Sequence, residues 1–361
     1  MPTLSSLNSS AAKNTYFLDL LKNIHSSDAY FLGNYAKQYE YELAQYFGSL
    51  YAINIDSKVT SIINVLKGHE IGVGDEIICT SFGMSKTVNA LLQKKIVPVL
   101  ADLNPSQYSM SFEHCKRLIN PKTKAIILSY PFGIPNQAHL FKDLARQHKI
   151  LLIEDIQSSF GSFWRDQKLG TFADVAFFDS HPKNQLCPSQ AGLCVTDHTH
   201  IAKMVRPNIE QPYSVLHELS EFLGALGLSN LNELDNKLSH LQQIHTVYSN
   251  YLSGTPNITI YQDDSQSIAS KHVIPLRVHA EERNFFYNSL KKHCHFIYKD
   301  FEAAHNNALI NVMLRPPHLP NTEKALQEIV LLNITQEESL LEHVAVAEKI
   351  QTLSETYSLS A

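Results

Sequence analysis

Between residues 75 and 178, short apolar runs alternate with segments of helical periodicity. That alternation limits the folds open to this chain more than any other feature. The runs "DEIICTS" (75–81), "IVPVLAD" (96–102), "KAIILSY" (124–130), "ILLIED" (150–155) and "VAFF" (175–178) read as strands. Between them "MSKTVNALLQK" (84–94), "SFEHCKRLI" (111–119) and "QAHLFKDLARQH" (137–148) place apolar groups at helical spacing, with Ser111 suited to cap the second helix. Strands that are apolar on both faces and joined through helices predict a mainly parallel sheet covered on both sides. In such sheets ligands bind beyond the carboxyl ends of the strands, where Asp155 falls.

A chain of 361 residues suits one large α/β domain and a smaller second one. The polar opening "MPTLSSLNSSAAKN" reads as a mobile arm over residues 1–14, followed by the helix "YAKQYEYELAQYF" (35–47). Residues 218–253 read as one long helix with few breakers, and a domain change is expected near residue 235. Beyond it come the strand "KHVIPLRVHA" (271–280), the helix "EERNFFYNSLKKH" (281–293) and a closing helix over 336–357.

Several function classes are excluded. A net charge of −5 supplies no basic face for phosphate neutralisation, so nucleic acid is not the expected partner. No apolar run reaches membrane-spanning length, and the N-terminus has no apolar signal core, which predicts a soluble cytoplasmic protein. The five cysteines are scattered without a CxxC pair and read as free thiols in a reducing compartment. "HCH" (293–295) and "DHTH" (197–200) lack the spacing of a metal site, and neither GxGxxG nor GxSxG occurs.

The segment "LLIEDIQSSFGSFWRDQKLGTFADVAFF" (151–178) resembles the DegT/DnrJ/EryC1/StrS family of sugar aminotransferases. "GNYAKQYEYELAQYFGS" (33–49), "GVGDEIICTSF" (72–82), "INPKTKAIILSYPFGIP" (119–135), "ALGLSNLNELD" (225–235) and "LPNTEKALQEIVLLNITQEE" (319–338) extend the resemblance along most of the chain. It implies an aspartate-aminotransferase-like fold (pyridoxal phosphate fold type I). The large α/β domain, with its mainly parallel sheet, would span 15–235, and a smaller α+β domain 236–361. It also implies pyridoxal phosphate as coenzyme, a nucleotide-linked keto sugar as amino acceptor, and a homodimer with sites at the subunit interface.

The same resemblance assigns roles by position. Asp155 matches the acid that holds the pyridine nitrogen, and Ser158 stands where the family has His or Gln, with Gln157 one residue earlier. Lys58 and Val59 stand in place of the Gly-Thr pair that cradles the coenzyme phosphate, and Asp179 in place of a phosphate-binding Ser. The ring-stacking aromatic falls on Met84 or is displaced to Phe82. Counting without gaps puts Asn184 at the catalytic lysine position and Lys183 one before it; a loop one residue tighter would give Lys183 that role. Leu216 and Glu218 align with residues that the partner subunit contributes in the family.

Lys58 and Asp179 are thus expected to form an ion pair across the phosphate hole, with Lys183 approaching Asp155. Three functions compete: an aminotransferase working through Lys183 and Asp155; a relative that has lost the coenzyme and binds a nucleotide sugar; and a non-catalytic partner that forms a heterodimer with an active paralogue.

Overall fold

The computed structural model describes residues 4–28, 34–179, 192–206, 221–263, 265–294, 296–299, 303–307, 310, 317–334 and 338–358. In chain order the first part gives α1 (Leu4–Ser27), α2 (Asn34–Phe47), β1 (Tyr51–Ile55), α3 (Lys58–Gly68), β2 (Glu76–Thr80), α4 (Ser85–Gln93) and β3 (Val97–Ala101). Then follow α5 (Phe112–Leu118), β4 (Thr123–Ser129), α6 (Ala138–His148) and β5 (Leu151–Asp155). After the two-residue strands β6 (Phe163–Trp164) and β7 (Gln167–Lys168) come β8 (Val175–Phe178), β9 (Gly192–Thr196) and α7 (Thr199–Val205).

Seven of these strands form one sheet in the order β1-β9-β8-β5-β4-β2-β3. The β3–β2–β4–β5–β8 run is parallel, and β9 pairs antiparallel with both β8 and β1. Alternation along the strands divides the core in two. Ile78, Ile126, Leu128, Leu152, Ala176 and Phe178 pack on one face against Tyr39 and Leu43 of α2 and Phe141 and Leu144 of α6. Ile77, Cys79, Ile127, Ile153, Val175 and Phe177 pack on the other against Ile62, Val65 and Leu66 of α3, Val88 and Leu91 of α4, and Ile201 of α7. Ser111 caps α5 as expected, its side chain accepting from the backbone N–H of His114.

The second part contains α8 (Glu221–Asn232), α9 (Leu234–Leu252), β10 (Ile258–Ile260), β11 (Ser267–Ile268), β12 (Val273–Val278), α10 (Arg283–Leu290) and β13 (Ile297–Tyr298). A helix over Pro320–Glu328, β14 (Ile329–Asn333) and a last helix over Leu340–Ser358 complete it. β10-β12-β14-β13 is an antiparallel sheet, and β11 joins the β6–β7 hairpin.

The structure adds a helix to the N-terminal segment and divides the expected long helix. The chain is helical from Leu4, within the segment read as an arm, and Leu20 and Ile24 further along α1 pack on Ala225. The long helix is two helices that meet at Glu233. α8 is held close to α2: a Cβ at Gly224 would lie 2.6 Å from the Ala36 nitrogen, and one at Gly227 would lie 2.6 Å from the Tyr39 ring. The Glu221 carboxylate accepts from the N–H groups of Tyr35 and Ala36, which satisfies the opening turn of α2. α9 packs instead on the last helix and β10.

Side chains tie the second part to strand ends of the first. Asp102, just past β3, accepts from the backbone N–H groups of Asn321 and Thr322 and from the Thr322 hydroxyl, so it caps the helix that begins at Pro320. Ser81, just past β2, meets His305 Nδ1 at 2.5 Å, and His305 Nε2 lies 2.5 Å from the Glu323 carboxylate.

Two buried histidines make the fold acid-sensitive. His272 and His245 are both held down at about 4, in each case chiefly by burial; Lys271 adds to the effect at His245. The folded state rejects a proton that the unfolded chain takes up below the ordinary value of 6.5. Their stabilisation is therefore complete above that value and is lost as pH falls toward 4. Chemical denaturation should show a loss of roughly 2 kcal/mol per histidine between pH ~7 and pH ~5. His272→Gln should remove about half of that slope. A stability that does not change over this interval would contradict the burial argument.

Candidate active site

α3 opens with Ser57 as its N-cap, the hydroxyl accepting from the Thr60 N–H at 3.3 Å. The next residue, Lys58, turns inward and is 5% exposed. Its ammonium donates to Asp155 Oδ2 at 2.7 Å and to the side-chain oxygen of Gln157 at 2.5 Å. The Gln157 backbone N–H donates to Asp155 Oδ1 at 3.2 Å, closing a three-residue cluster. The side chains of Lys58 and Asp155 are 6% and 5% exposed, so this is a buried ion pair.

Strand alternation explains why Asp155 is available for it. Asp155 and Glu154 end β5 and point to opposite faces. Glu154 faces the core and accepts from the Tyr130 hydroxyl and from the N–H groups of Gly170, Phe172 and Ala173. Burial pushes its carboxyl pKa up, against the pull of those four donors. Glu154 therefore fixes the turn after β7, and Asp155 is left to the site.

Asp155, Gln157 and Ser158 form the floor of a cleft of about 190 Å³. Its walls are residues 82–84, between β2 and α4, and residues 129–132, at the end of β4 and just past it. Phe82 and Phe132 meet edge to face with centroids 5.5 Å apart, and Tyr108 backs Phe132 at 5.8 Å. Met84, at the N-cap of α4, is 1% exposed. The Ser129 hydroxyl is engaged with Thr80 at 2.9 Å. The cleft is thus an apolar slot with a polar, charge-balanced base.

Of the residues singled out in the sequence, Asp155, Gln157, Ser158 and Met84 share this cleft, as does Phe82, and Lys58 lies directly behind its floor. The expected pairing of Lys58 with Asp179 is corrected: the ammonium goes to Asp155. Lys58 Nζ donates a second bond there, to the Gln157 side-chain oxygen, whereas Asp179 is half-buried just beyond the neighbouring strand β8. Val59 is half-buried beside Lys58 in α3 and has no hydroxyl to offer. Lys183, Asn184, Leu216 and Glu218 lie outside the described residues, so the expected approach of Lys183 to Asp155 does too. The sequence did not reveal that Gln157 serves as an acceptor for Lys58, or that Ser81 and His305 brace the wall next to Phe82. The only available hint was that Lys58 and Asp155, of opposite charge, both carry cofactor positions in the resemblance.

Among the described residues, no group of three or more His, Cys, Asp or Glu side chains is placed to hold a metal ion. No described helix is long and apolar enough to cross a membrane. Cys79, Cys115, Cys194 and Cys294 are free and buried; Cys187 lies outside the described residues.

The DegT/DnrJ/EryC1/StrS aminotransferase family model matches residues 12–351, and the chain belongs to that family. GDP-perosamine synthase of Vibrio cholerae is 25% identical over 235 residues, covering 62% of this chain and 64% of that protein. A dTDP-4-dehydro-2,6-dideoxy-D-glucose 3-dehydratase of Saccharopolyspora spinosa is 26% identical over 181 residues, 48% of this chain and 39% of that one. A UDP-N-acetyl-3-dehydro-alpha-D-glucosamine 3-aminotransferase of Acidithiobacillus ferrooxidans is 30% identical over 179 residues, 49% and 48% of the two chains. The matches therefore span less than two thirds of the length of each of these relatives.

In fold, the chain is similar to a family aminotransferase from Brucella abortus, with a TM-score of 0.86 at 18% identity, covering 98% of this chain and 99% of that one. An aminotransferase of Helicobacter pylori involved in the biosynthesis of pseudoaminic acid gives 0.85 at 20% identity, covering 95% and 96%. The architecture is that of pyridoxal phosphate fold type I aminotransferases.

Breaking the buried pair from one side should be costly. Lys58→Met leaves the Asp155 carboxylate uncompensated and should destabilise the protein by roughly 3–5 kcal/mol. Adding Asp155→Asn should return most of that loss, because the remaining groups are neutral. Denaturation curves of wild type, the single variant and the double variant decide the point. A single variant as stable as wild type would refute the pairing.

Proposed function

We propose that this chain serves the amination of nucleotide-linked sugars without carrying pyridoxal phosphate of its own, and that its cleft takes the sugar nucleotide directly. The observation that carries the reading is the Lys58 ammonium on the carboxylate that the family resemblance reserves for the coenzyme's ring nitrogen. A protonated pyridine at Asp155 would set two cations on one carboxylate, at a place where Lys58 and Asp155 are both about nineteen-twentieths buried. Displacing the ammonium to make room would break a buried ion pair.

The phosphate end of the seat points the same way. Lys58 and Val59 stand where a bare Gly backbone and a Thr hydroxyl are expected, and the Lys58 charge is already shared between Asp155 and Gln157. Asp179 at the end of β8 adds a carboxylate where a phosphate dianion would approach. These residues do not fit the coenzyme. They do fit a sugar: its hydroxyls have Asp155 and Gln157 at the floor, and its C–H face has Phe82, Phe132 and Met84 at the walls. The nucleotide-linked substrate class is supported by the names of the relatives, which act on GDP-, dTDP- and UDP-sugars.

Two titrations of the purified protein test this. Pyridoxal phosphate should give no saturable change in the absorbance of its ring. In the absence of coenzyme, calorimetry against GDP-, UDP- and dTDP-sugars should give at least one binding constant in the range of roughly 1 μM–1 mM. One-to-one uptake of pyridoxal phosphate, or no binding by any of the sugar nucleotides, would refute the proposal.

A further inference from the structure

We infer that Lys58 and Asp155 form a coenzyme-free catalytic pair, in which the Lys58 amine condenses with the ring carbonyl of a nucleotide-linked keto sugar and Asp155 moves the protons. The inference rests on the reading that the cleft takes a sugar nucleotide without pyridoxal phosphate.

Geometry comes first. Lys58 Nζ is bonded to two groups, Asp155 Oδ2 at 2.7 Å and Gln157 at 2.5 Å, and both of these residues line the cleft. The nitrogen is therefore one hydrogen bond behind the floor. A ligand carbonyl that takes the place of the Gln157 oxygen would lie within contact distance of it. Lys58 is the opening residue of α3, so its backbone is fixed by the Ser57 cap while its four-carbon stem can advance.

Charge comes second. The 2.7 Å bond from Nζ to Oδ2 is an existing path along which a proton can pass from Lys58 to Asp155. A ligand in the cleft beside the touching Phe82 and Phe132 rings would exclude remaining water from the pair. Desolvation of this kind is one of the ways in which lysine becomes a nucleophile. The Gln157 amide cannot take up the proton, so the acid–base work falls to Asp155.

The chemistry balances without any further reagent. The ammonium gives one proton to Asp155, and the freed amine forms a C–N bond to the carbonyl carbon while the second amine proton passes to the carbonyl oxygen. Asp155 returns its proton to that hydroxyl, which leaves as water, and a protonated imine on Lys58 remains. The Asp155 carboxylate then removes a proton from the carbon next to the imine, whose electron pair moves toward nitrogen to give an enamine. Return of the proton to either face, followed by addition of water, releases the ketone. The net change is exchange or inversion at the carbon beside the carbonyl, with nothing oxidised or reduced.

The test uses the full-length protein with UDP-N-acetyl-3-dehydro-α-D-glucosamine and with a dTDP-4-dehydro-6-deoxy sugar as probes, with no pyridoxal phosphate added. Cyanoborohydride trapping followed by peptide mass mapping should find at least one probe attached at Lys58, at least tenfold above the level at the exposed Lys86. In heavy water, the same probe should take up deuterium next to its carbonyl. Lys58→Arg keeps the positive charge beside Asp155 and should fold, but it should lose both signals by at least tenfold. If Lys58→Arg fails to fold, the Lys58→Met/Asp155→Asn variant is expected to show the same double loss. Absence of the adduct at Lys58, or deuterium uptake that persists in the folded variants, would overturn the inference. A protein that binds the probes in calorimetry but does not trap them fails only here. One that takes up pyridoxal phosphate fails at the proposed function instead.

Discussion

The ion pair between Lys58 and Asp155, shared with Gln157, is the contact around which the cleft is organised. It joins the first turn of α3 to the carboxyl end of β5, two elements that meet because β5 is the middle strand of the seven-stranded sheet and α3 covers one face of that sheet. Its strength comes from a short charge-assisted bond in a site from which water is nearly excluded. Its cost comes from the same burial, and for that reason the amide and backbone bonds of Gln157 matter: they satisfy lone pairs and protons that would otherwise be orphaned.

Two adjacent carboxylates at the end of one strand have diverged completely in role. Glu154 collects four donors and holds residues 170–173 against the core, with its pKa pushed up by burial. Asp155, one residue on and on the other face, has a cation and one backbone N–H and borders the cleft. The walls above it belong to two parts of the chain. Ser81 next to Phe82 is bound to His305, His305 is bound to Glu323, and Asp102 caps the helix that carries Glu323. The position of Phe82 over the floor therefore depends on the C-terminal sheet and its helices as much as on β2.

Much of this was legible in the sequence, and the remainder was hidden for identifiable reasons. The strands β2, β3, β4, β5 and β8 are apolar on both faces, so their runs stand out, and Ser111 announces its helix by a capping interaction local to four residues. The break at Glu233 was not visible, because residues 218–253 contain no proline and few other breakers. The break reflects α8 being drawn onto α2, with Gly224 and Gly227 allowing the approach, while α9 packs elsewhere. At the site, the sequence identified Lys58 and Asp155 as the residues occupying cofactor positions but paired the lysine with Asp179. Asp155 ends β5 and Asp179 lies just past the adjacent strand β8, so the strand pattern does not choose between them. The link from Ser81 to His305 spans 224 positions and leaves no local trace.

The central claim is that a lysine of this chain occupies the seat in which its family resemblance places the ring of pyridoxal phosphate. A crystal structure from crystals grown with a large excess of that coenzyme tests it most directly. The prediction is a Lys58 Nζ within about 3 Å of the Asp155 carboxylate, with no ring density between residues 82–84 and the cleft floor. Density for a pyridine ring with its nitrogen on Asp155, and with Lys58 turned away, would contradict it.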